Sequence, residues 1–170
     1  MRVVGNGDIG KLLKAKIDPK KPVTFFASGV SNSQETRQKE FLRELNLLKI
    51  QPQTDHLVYF STLSVYYKDS PYTRHKRQME MAIQVFFPKY TIIRIGNITW
   101  GTNPNTLINY LKAHPKAELR DEWRYIVDED EFIYWLNMIP PWSCEMNIPG
   151  KRMKVKEVYE QYCRSDTNRS

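Results

Sequence analysis

Three glycines, Gly5, Gly7 and Gly10, stand between a short apolar run at residues 2–4 and a stretch where Ile9, Leu12, Leu13 and Ile17 recur at helical spacing. A chain that passes from strand to helix through Gly5-Asn6-Gly7-Asp8-Ile9-Gly10 has little freedom in what it builds. The first glycine permits a tight turn, the second leaves room for a group to approach the backbone, and the third lets the helix lie close on the strand. Asp18-Pro19-Lys20-Lys21-Pro22 then stops the helix, because proline supplies no backbone donor and clashes with the preceding turn. The feature predicts a strand, a glycine turn and a returning helix, the opening unit of a parallel sheet.

The remaining pattern continues that alternation. Residues 23–27 form an apolar, β-favouring run closed by Ser28-Gly29, as expected of a strand buried on both faces. Ser33 is read as the cap of a helix running to about Leu48, with Phe41, Leu42, Leu45 and Leu48 as its apolar stripe. A strand at 56–61 follows, then a helix that starts at Pro71 and carries Tyr72 to about Phe86, then a strand at 90–95. Beyond it the spacing predicts helices at 106–113, 130–136 and near 155–162. Parallel neighbours need crossovers, which helices supply. The expectation is a reduced Rossmann-type α/β fold: a mostly parallel sheet of four or five strands, flanking helices and a small C-terminal substrate lobe. We read residues 1–165 as one domain, with about 98–150 contributing the lobe and 166–170 as a frayed tail.

Two constellations carry chemistry. The glycine loop opens a helix whose amino end favours negative charge, so a dinucleotide pyrophosphate is the ligand it suits. The acidic residue expected about 20 positions later to hold the adenosine ribose is missing, since Ser28-Gly29-Val30-Ser31-Asn32 stands there. Tyr72 and Lys76 lie four apart on one helix and so share a face. An ammonium beside a phenol lowers its pKa toward neutrality and lets it exchange a proton with a hydroxyl or carbonyl.

Together and in this order, these pieces resemble the extended short-chain dehydrogenase/reductase family, the group of NAD-dependent nucleotide-sugar epimerases, dehydratases and reductases. Phe60-Ser61-Thr62-Leu63-Ser64-Val65-Tyr66 is similar to the strand end supplying the catalytic Ser or Thr, and Ser70-Pro71-Tyr72-Thr73-Arg74-His75-Lys76 to the Tyr-x-x-x-Lys helix. Phe26-Ala27-Ser28-Gly29 resembles the strand end lying along the dinucleotide. Arg94-Ile95-Gly96-Asn97 resembles the next strand end, and the segment opening at Arg124 the stretch whose arginine binds a nucleotide-sugar pyrophosphate. The resemblance implies catalytic Thr62, Tyr72 and Lys76, and substrate contacts from Asn97 and Arg124. It implies cofactor contacts from Gly5, Asn6, Gly7, Asp8, Ile9, Gly10, Ala27, Ser28, Gly29, Ser61 and Lys76.

Only about a dozen residues separate the first helix from Val23, so the second and third family strands, which hold the adenosine, are read as deleted. A rival alignment makes 23–27 the family's second strand and puts Ser28 near a 2′-phosphate. Under the deletion reading, NAD or NADP binding is expected to be weak. The implied function is NAD(P)-dependent oxidation, reduction or epimerisation of a nucleotide-activated sugar or a similar hydroxyl or carbonyl substrate. The alternative is a non-catalytic Rossmann-type ligand-binding or interaction module.

Composition narrows the remaining classes. A hydrophobic share of 41% with 26% charged residues is a globular balance. The net charge of +7 comes from Lys and Arg scattered over several segments, which argues against a nucleic-acid footprint and suits an anionic small ligand equally well. No apolar run approaches a membrane span. Cys144 and Cys163 have no ligand or redox spacing, so no metal is expected and reduced thiols in a cytoplasmic protein are. From the opening residues, which read as a strand, no export signal is expected. Association into a homodimer is left open.

Overall fold

The computed structural model describes residues 1–18 and 20–164. The frayed tail assigned to 166–170, and the stop at Pro19, lie outside the described residues. The elements are β1 (Arg2–Val4), α1 (Asp8–Lys16), β2 (Val23–Phe26), α2 (Gln38–Lys49), β3 (His56–Thr62), α3 (Pro71–Phe86), β4 (Tyr90–Ile95), β5 (Asn97–Ile98), α4 (Leu107–Ala113), β6 (Trp123–Val127), α5 (Glu129–Asn137), β7 (Cys144–Ile148), β8 (Lys151–Lys154) and α6 (Val155–Tyr162). A single 3₁₀ turn, Leu63–Tyr66, follows β3.

The main sheet has five strands in the order β1-β2-β3-β4-β7, and every neighbouring pair is parallel. The register Arg2↔Thr24 and Val4↔Phe26 puts β1 directly against β2 and leaves β1 at the edge. Sequence order equals spatial order, as it must when nothing remains outside the first strand. This decides between the two alignments. Were 23–27 the family's second strand, it would lie on the far side of β1 from β3, whereas β2 sits between them.

Alternation along the buried strands gives each face its own core. Phe25, Val58, Phe60 and Ile93 point to one side, where Leu12, Leu13 and Ile17 of α1 and Phe132 and Leu136 of α5 cover them. Phe26, Leu57, Tyr59 and Ile92 point to the other, beneath Leu48 of α2 and Met79 and Ile83 of α3. Both faces are dry, which is why β2 and β3 read as continuous apolar runs. The lobe is a three-stranded sheet, β5-β6-β8, with α4 and α6 packed on it through Ile108, Leu111, Met153 and Val158.

Local chemistry fixes the helix that carries Tyr72. Ser70 Oγ accepts from the Thr73 N–H at 3.2 Å while Thr73 Oγ1 accepts from the Ser70 N–H at 2.9 Å, a reciprocal cap ahead of Pro71 in the first turn.

Two expectations need correction. Ser33 does not cap the second helix: residues 33–37 form a turn and loop, Glu35 accepts from the backbone N–H groups of Thr36 and Arg37, and α2 begins at Gln38. Its inward stripe is Phe41, Glu44 and Leu48, with Leu42 48% exposed. A charged residue has taken the inward place that the apolar count gave to a leucine. The strands at 97–98, 123–127, 144–148 and 151–154 also fall in the part of the chain that the sequence reading left without strands, and β7, inside the 98–150 stretch, completes the main sheet rather than the lobe.

Candidate functional site

Because all five main strands are parallel, their carboxyl ends meet at one edge. The glycine loop, residues 27–32 and residues 61–66 all leave the sheet there, which is where open α/β sheets bind ligands.

In the glycine loop, Gly5 has φ of 120°, and a Cβ on it would stand 2.4 Å from the Ala27 carbonyl oxygen. A Cβ on Gly10 would stand 2.6 Å from the Gly5 oxygen. Strand, turn and helix therefore touch through these two residues. Gly7 differs, since a Cβ there would meet nothing within 4 Å. It is the N-cap of α1 and brings no side chain to the first N–H groups of the helix. Lys14 Nζ donates to Asn6 Oδ1 at 2.6 Å and to the Gly5 oxygen at 3.3 Å, adding a cation beside the loop. Asp8 is engaged by the lobe: its Oδ2 accepts from the Asn103 N–H at 2.9 Å, and Asn103 Nδ2 donates to Ser31 Oγ at 3.1 Å. Ile9 packs against the core under α1.

At the next strand end, Ala27 N–H donates to the Val4 oxygen at 2.8 Å, and the Ser28 oxygen accepts from Arg43. Val30 then turns inward and packs with Phe41 and Tyr72 in a small apolar cluster. Tyr72 is 8% exposed. Thr62 ends β3, accepts from the Ser64 N–H at 3.2 Å, and lies against the Tyr72 phenol. Burial pushes the Tyr72 hydroxyl well above its ordinary pKa of 10, the Glu44 carboxylate pushes it the same way, and the bond to Thr62 opposes them.

Lys76 stands one turn along α3, and its ammonium is turned into the protein. Nζ donates to Glu44 Oε1 at 3.2 Å and to the Tyr59 hydroxyl at 3.0 Å, and lies 5.8 Å from the centre of the Tyr72 ring. The Glu44 carboxylate, fully buried on α2, also accepts from Tyr59 OH at 2.7 Å, His75 Nε2 at 2.9 Å and the Val30 N–H at 2.7 Å. Burial alone would raise the Glu44 pKa, but the Lys76 charge and the His75, Val30 and Tyr59 hydrogen bonds outweigh it and hold the carboxyl down to about 2. Gly29 forms the lid of this pair, since a Cβ on it would fall 2.7 Å from Lys76 Nζ and 2.9 Å from Glu44 Oε1.

The structure thus gathers the glycine loop, Ala27 to Gly29, Thr62, Tyr72 and Lys76 at one edge, and sends the other named residues elsewhere. Ser61 gives its hydroxyl to Glu80, on the side of Arg94. Asn97 Nδ2 donates to the Tyr125 oxygen at 3.1 Å and so joins β5 to β6. Arg124 pairs with Glu122 and donates to the Trp123 oxygen within the lobe. The sequence reading missed Glu44, Tyr59 and His75. Glu44 carried a signal: it lies three residues after Phe41 and four before Leu48, on the face that helical spacing turns inward.

Fold and edge together define a Rossmann-type domain whose five-stranded parallel sheet has β1 at its edge. No protein-family model matches the chain, and no curated protein matches it by sequence. Solved structures match it by shape. The Bordetella bronchiseptica enzyme WbmG in complex with NAD has a TM-score of 0.60 at 15% identity, over 90% of this chain and 58% of that one. The dTDP-4-dehydrorhamnose reductase of Bacillus anthracis in complex with NADP has a TM-score of 0.72 at 14% identity, over 94% of this chain and 81% of that one. The dTDP-glucose 4,6-dehydratase of the same organism, in complex with NAD, gives 0.60 at 19% identity, over 91% and 59%. The chain spans under three-fifths of the length of WbmG. Among the described residues no helix is long and apolar enough to cross a membrane, and no group of side chains is placed to hold a metal ion.

Proposed function

We propose that this chain binds NAD or NADP at the carboxyl edge of its main sheet and acts on a nucleotide-activated sugar or a similar hydroxyl or carbonyl substrate. The observation that carries the reading is the division of labour in the glycine loop. Gly5 and Gly10 are closed against Ala27 and each other, while Gly7 faces open space at the amino end of α1 with Lys14 alongside. That is the cradle a pyrophosphate needs. The solved structures of like fold in complex with NAD or NADP support it.

The fit covers half of the dinucleotide. Gly5 to Gly10 would hold the pyrophosphate, with Ala27 to Gly29 and Thr62 alongside the nicotinamide ribose, but β1 is the sheet edge and offers no strand beyond it for adenosine. The bound nicotinamide would supply hydride transfer. In the protein, Thr62 and Tyr72 would orient the reacting oxygen, and the buried phenol would hold a proton on it. Arg124 and Asn97, engaged by Glu122 and by the Tyr125 oxygen, have no assigned part in this reading.

A second reading has its own observation. Tyr72 is covered by Val30 and Phe41, and Lys76 is spent on Glu44, which fits a module that binds the ligand without turning it over. Saturation-transfer NMR with NADP distinguishes the half-site from a whole one. The reading expects the strongest transfer on nicotinamide and its ribose, and transfer strongest on adenine would overturn it. Turnover of a nucleotide sugar followed by nicotinamide absorbance then separates enzyme from module.

A further inference from the structure

The Glu44 cluster is a buried polar network that the packing of α2 on the sheet does not need. A helix facing a sheet is held by apolar burial, and α2 already has Phe41 and Leu48 for that. Instead it projects a carboxylate into the interior, where every lone-pair position is used: Oε1 by Tyr59 and Lys76, Oε2 by Val30 and His75. The groups around Tyr72 come from three elements. They are Glu44 from α2, Thr62 and Tyr59 from the β3 strand, and His75 and Lys76 from α3 itself. Only Lys76 among them brings a fixed positive charge, and it sits on Glu44 beneath Gly29. An ammonium whose field is matched by a carboxylate at 3.2 Å acts on third parties as a dipole, and its pull on the Tyr72 hydroxyl is largely cancelled.

We propose that Glu44 is a positioning residue that holds Lys76 in an interior ion pair, so that Tyr72 works as a neutral phenol that donates a hydrogen bond and does not take a proton from substrate. Resting on the function proposed above, this names the substrate class. A donating phenol recognises a carbonyl oxygen, whereas an alcohol awaiting oxidation needs a base. Gly29 belongs to the same device, because any side chain there would push into the pair.

The test reads Tyr72 itself and needs no cofactor. With ten tyrosines in the chain, tyrosinate absorbance against pH is taken as the difference between each protein and its Tyr72→Phe counterpart. In the wild type no Tyr72 ionisation is expected below pH of about 10, the ordinary phenol value. In Glu44→Gln the freed Lys76 charge should bring the transition down by at least one pH unit, a tenfold change in the ionisation equilibrium, and Glu44→Gln/Lys76→Met should restore the wild-type curve. A folded Glu44→Gln with an unmoved transition, or a wild-type Tyr72 that ionises near neutrality, overturns the proposal. Should Glu44→Gln not fold, the wild type decides: an amine-acylating ester at limiting concentration should modify exposed Lys11 and Lys39 and spare Lys76, and acylation of Lys76 at the same rate overturns it. Failure of NAD(P) binding would sink the functional reading and leave these outcomes untouched.

Discussion

The two halves of the sheet's carboxyl edge are built on opposite plans. At β1 and α1 the backbone does the work, and a missing Cβ at Gly7 leaves open space at the amino end of the helix. At β3 and α3 side chains do the work, and a missing Cβ at Gly29 is filled at once by Lys76 and Glu44. One glycine makes room for a ligand and the other for the protein's own ion pair. The lesson is that a motif can be intact by residue type while its chemistry is set by a neighbour outside it, here Glu44 on α2 acting on Tyr72-x-x-x-Lys76.

The sharpest break of this contrast removes one member of the buried pair. Lys76→Met leaves the Glu44 carboxylate without its cation, and stability should fall by about 3–5 kcal/mol in urea unfolding, the range for stripping one partner from a buried ion pair. Glu44→Gln/Lys76→Met should recover most of the loss. A Lys76→Met protein as stable as wild type would mean that the pair contributes nothing.

Acid unfolding sharpens the same point. The folded pKa of Glu44, about 2, lies below its ordinary value of 4.5. Its contribution is therefore complete above pH 4.5 and is lost as pH falls toward 2, and the 2.5-unit difference corresponds to about 3 kcal/mol. Denaturation midpoints between pH 5 and 2 should drop more steeply in wild type than in Glu44→Gln/Lys76→Met. Parallel curves would place the acid sensitivity elsewhere.

The glycines give a smaller and more direct contrast. Gly29→Ala puts a Cβ 2.7 Å from Lys76 Nζ and should cost about 1–3 kcal/mol, as overpacking does. Gly7→Ala meets no atom within 4 Å and should change stability by less than about 1 kcal/mol in the same thermal melts. Equal effects would erase the distinction between the two halves.

Smallest of all is the tie from the lobe. Asp8→Asn removes a negative charge from the first turn of α1, beside the proposed phosphate cradle, and should cost under about 1 kcal/mol of stability. NADP affinity, measured by calorimetry, should rise by a few-fold. A fall would show that Asp8 holds the loop in its binding form.

The parts of the fold that were legible share one physical origin. Residues 23–27, 56–61 and 90–95 read as strands because they are largely buried and mostly apolar, and α3 read correctly because Pro71 marks its first turn. The later strands were illegible because little of each is buried: Ile148 alone is fully buried over the five positions of β7 and Met153 alone over the four of β8, too few to stand out. α2 was displaced because Glu35, not Ser33, organises the turn before it. In the site, spacing found the Tyr72 and Lys76 pair and the glycine loop. It could not find Glu44 as their partner, because that contact spans 32 residues and depends on how α2 crosses α3.

The glycine-loop half of the edge is proposed as a phosphate site, with β1 at the sheet edge and no strand beyond it to wall in adenosine. Calorimetric titration of NAD and NADP into the wild type, Gly7→Ala and Gly7→Val tests it most directly. Each 1.4 kcal/mol of lost contact costs about tenfold in affinity, so the missing adenosine contacts should move a micromolar site toward millimolar. Wild type should bind weakly, Gly7→Ala more weakly still, and Gly7→Val not measurably, with all three equally folded. Tight binding that Gly7→Val leaves unchanged would contradict the claim and place the nucleotide away from the glycine loop.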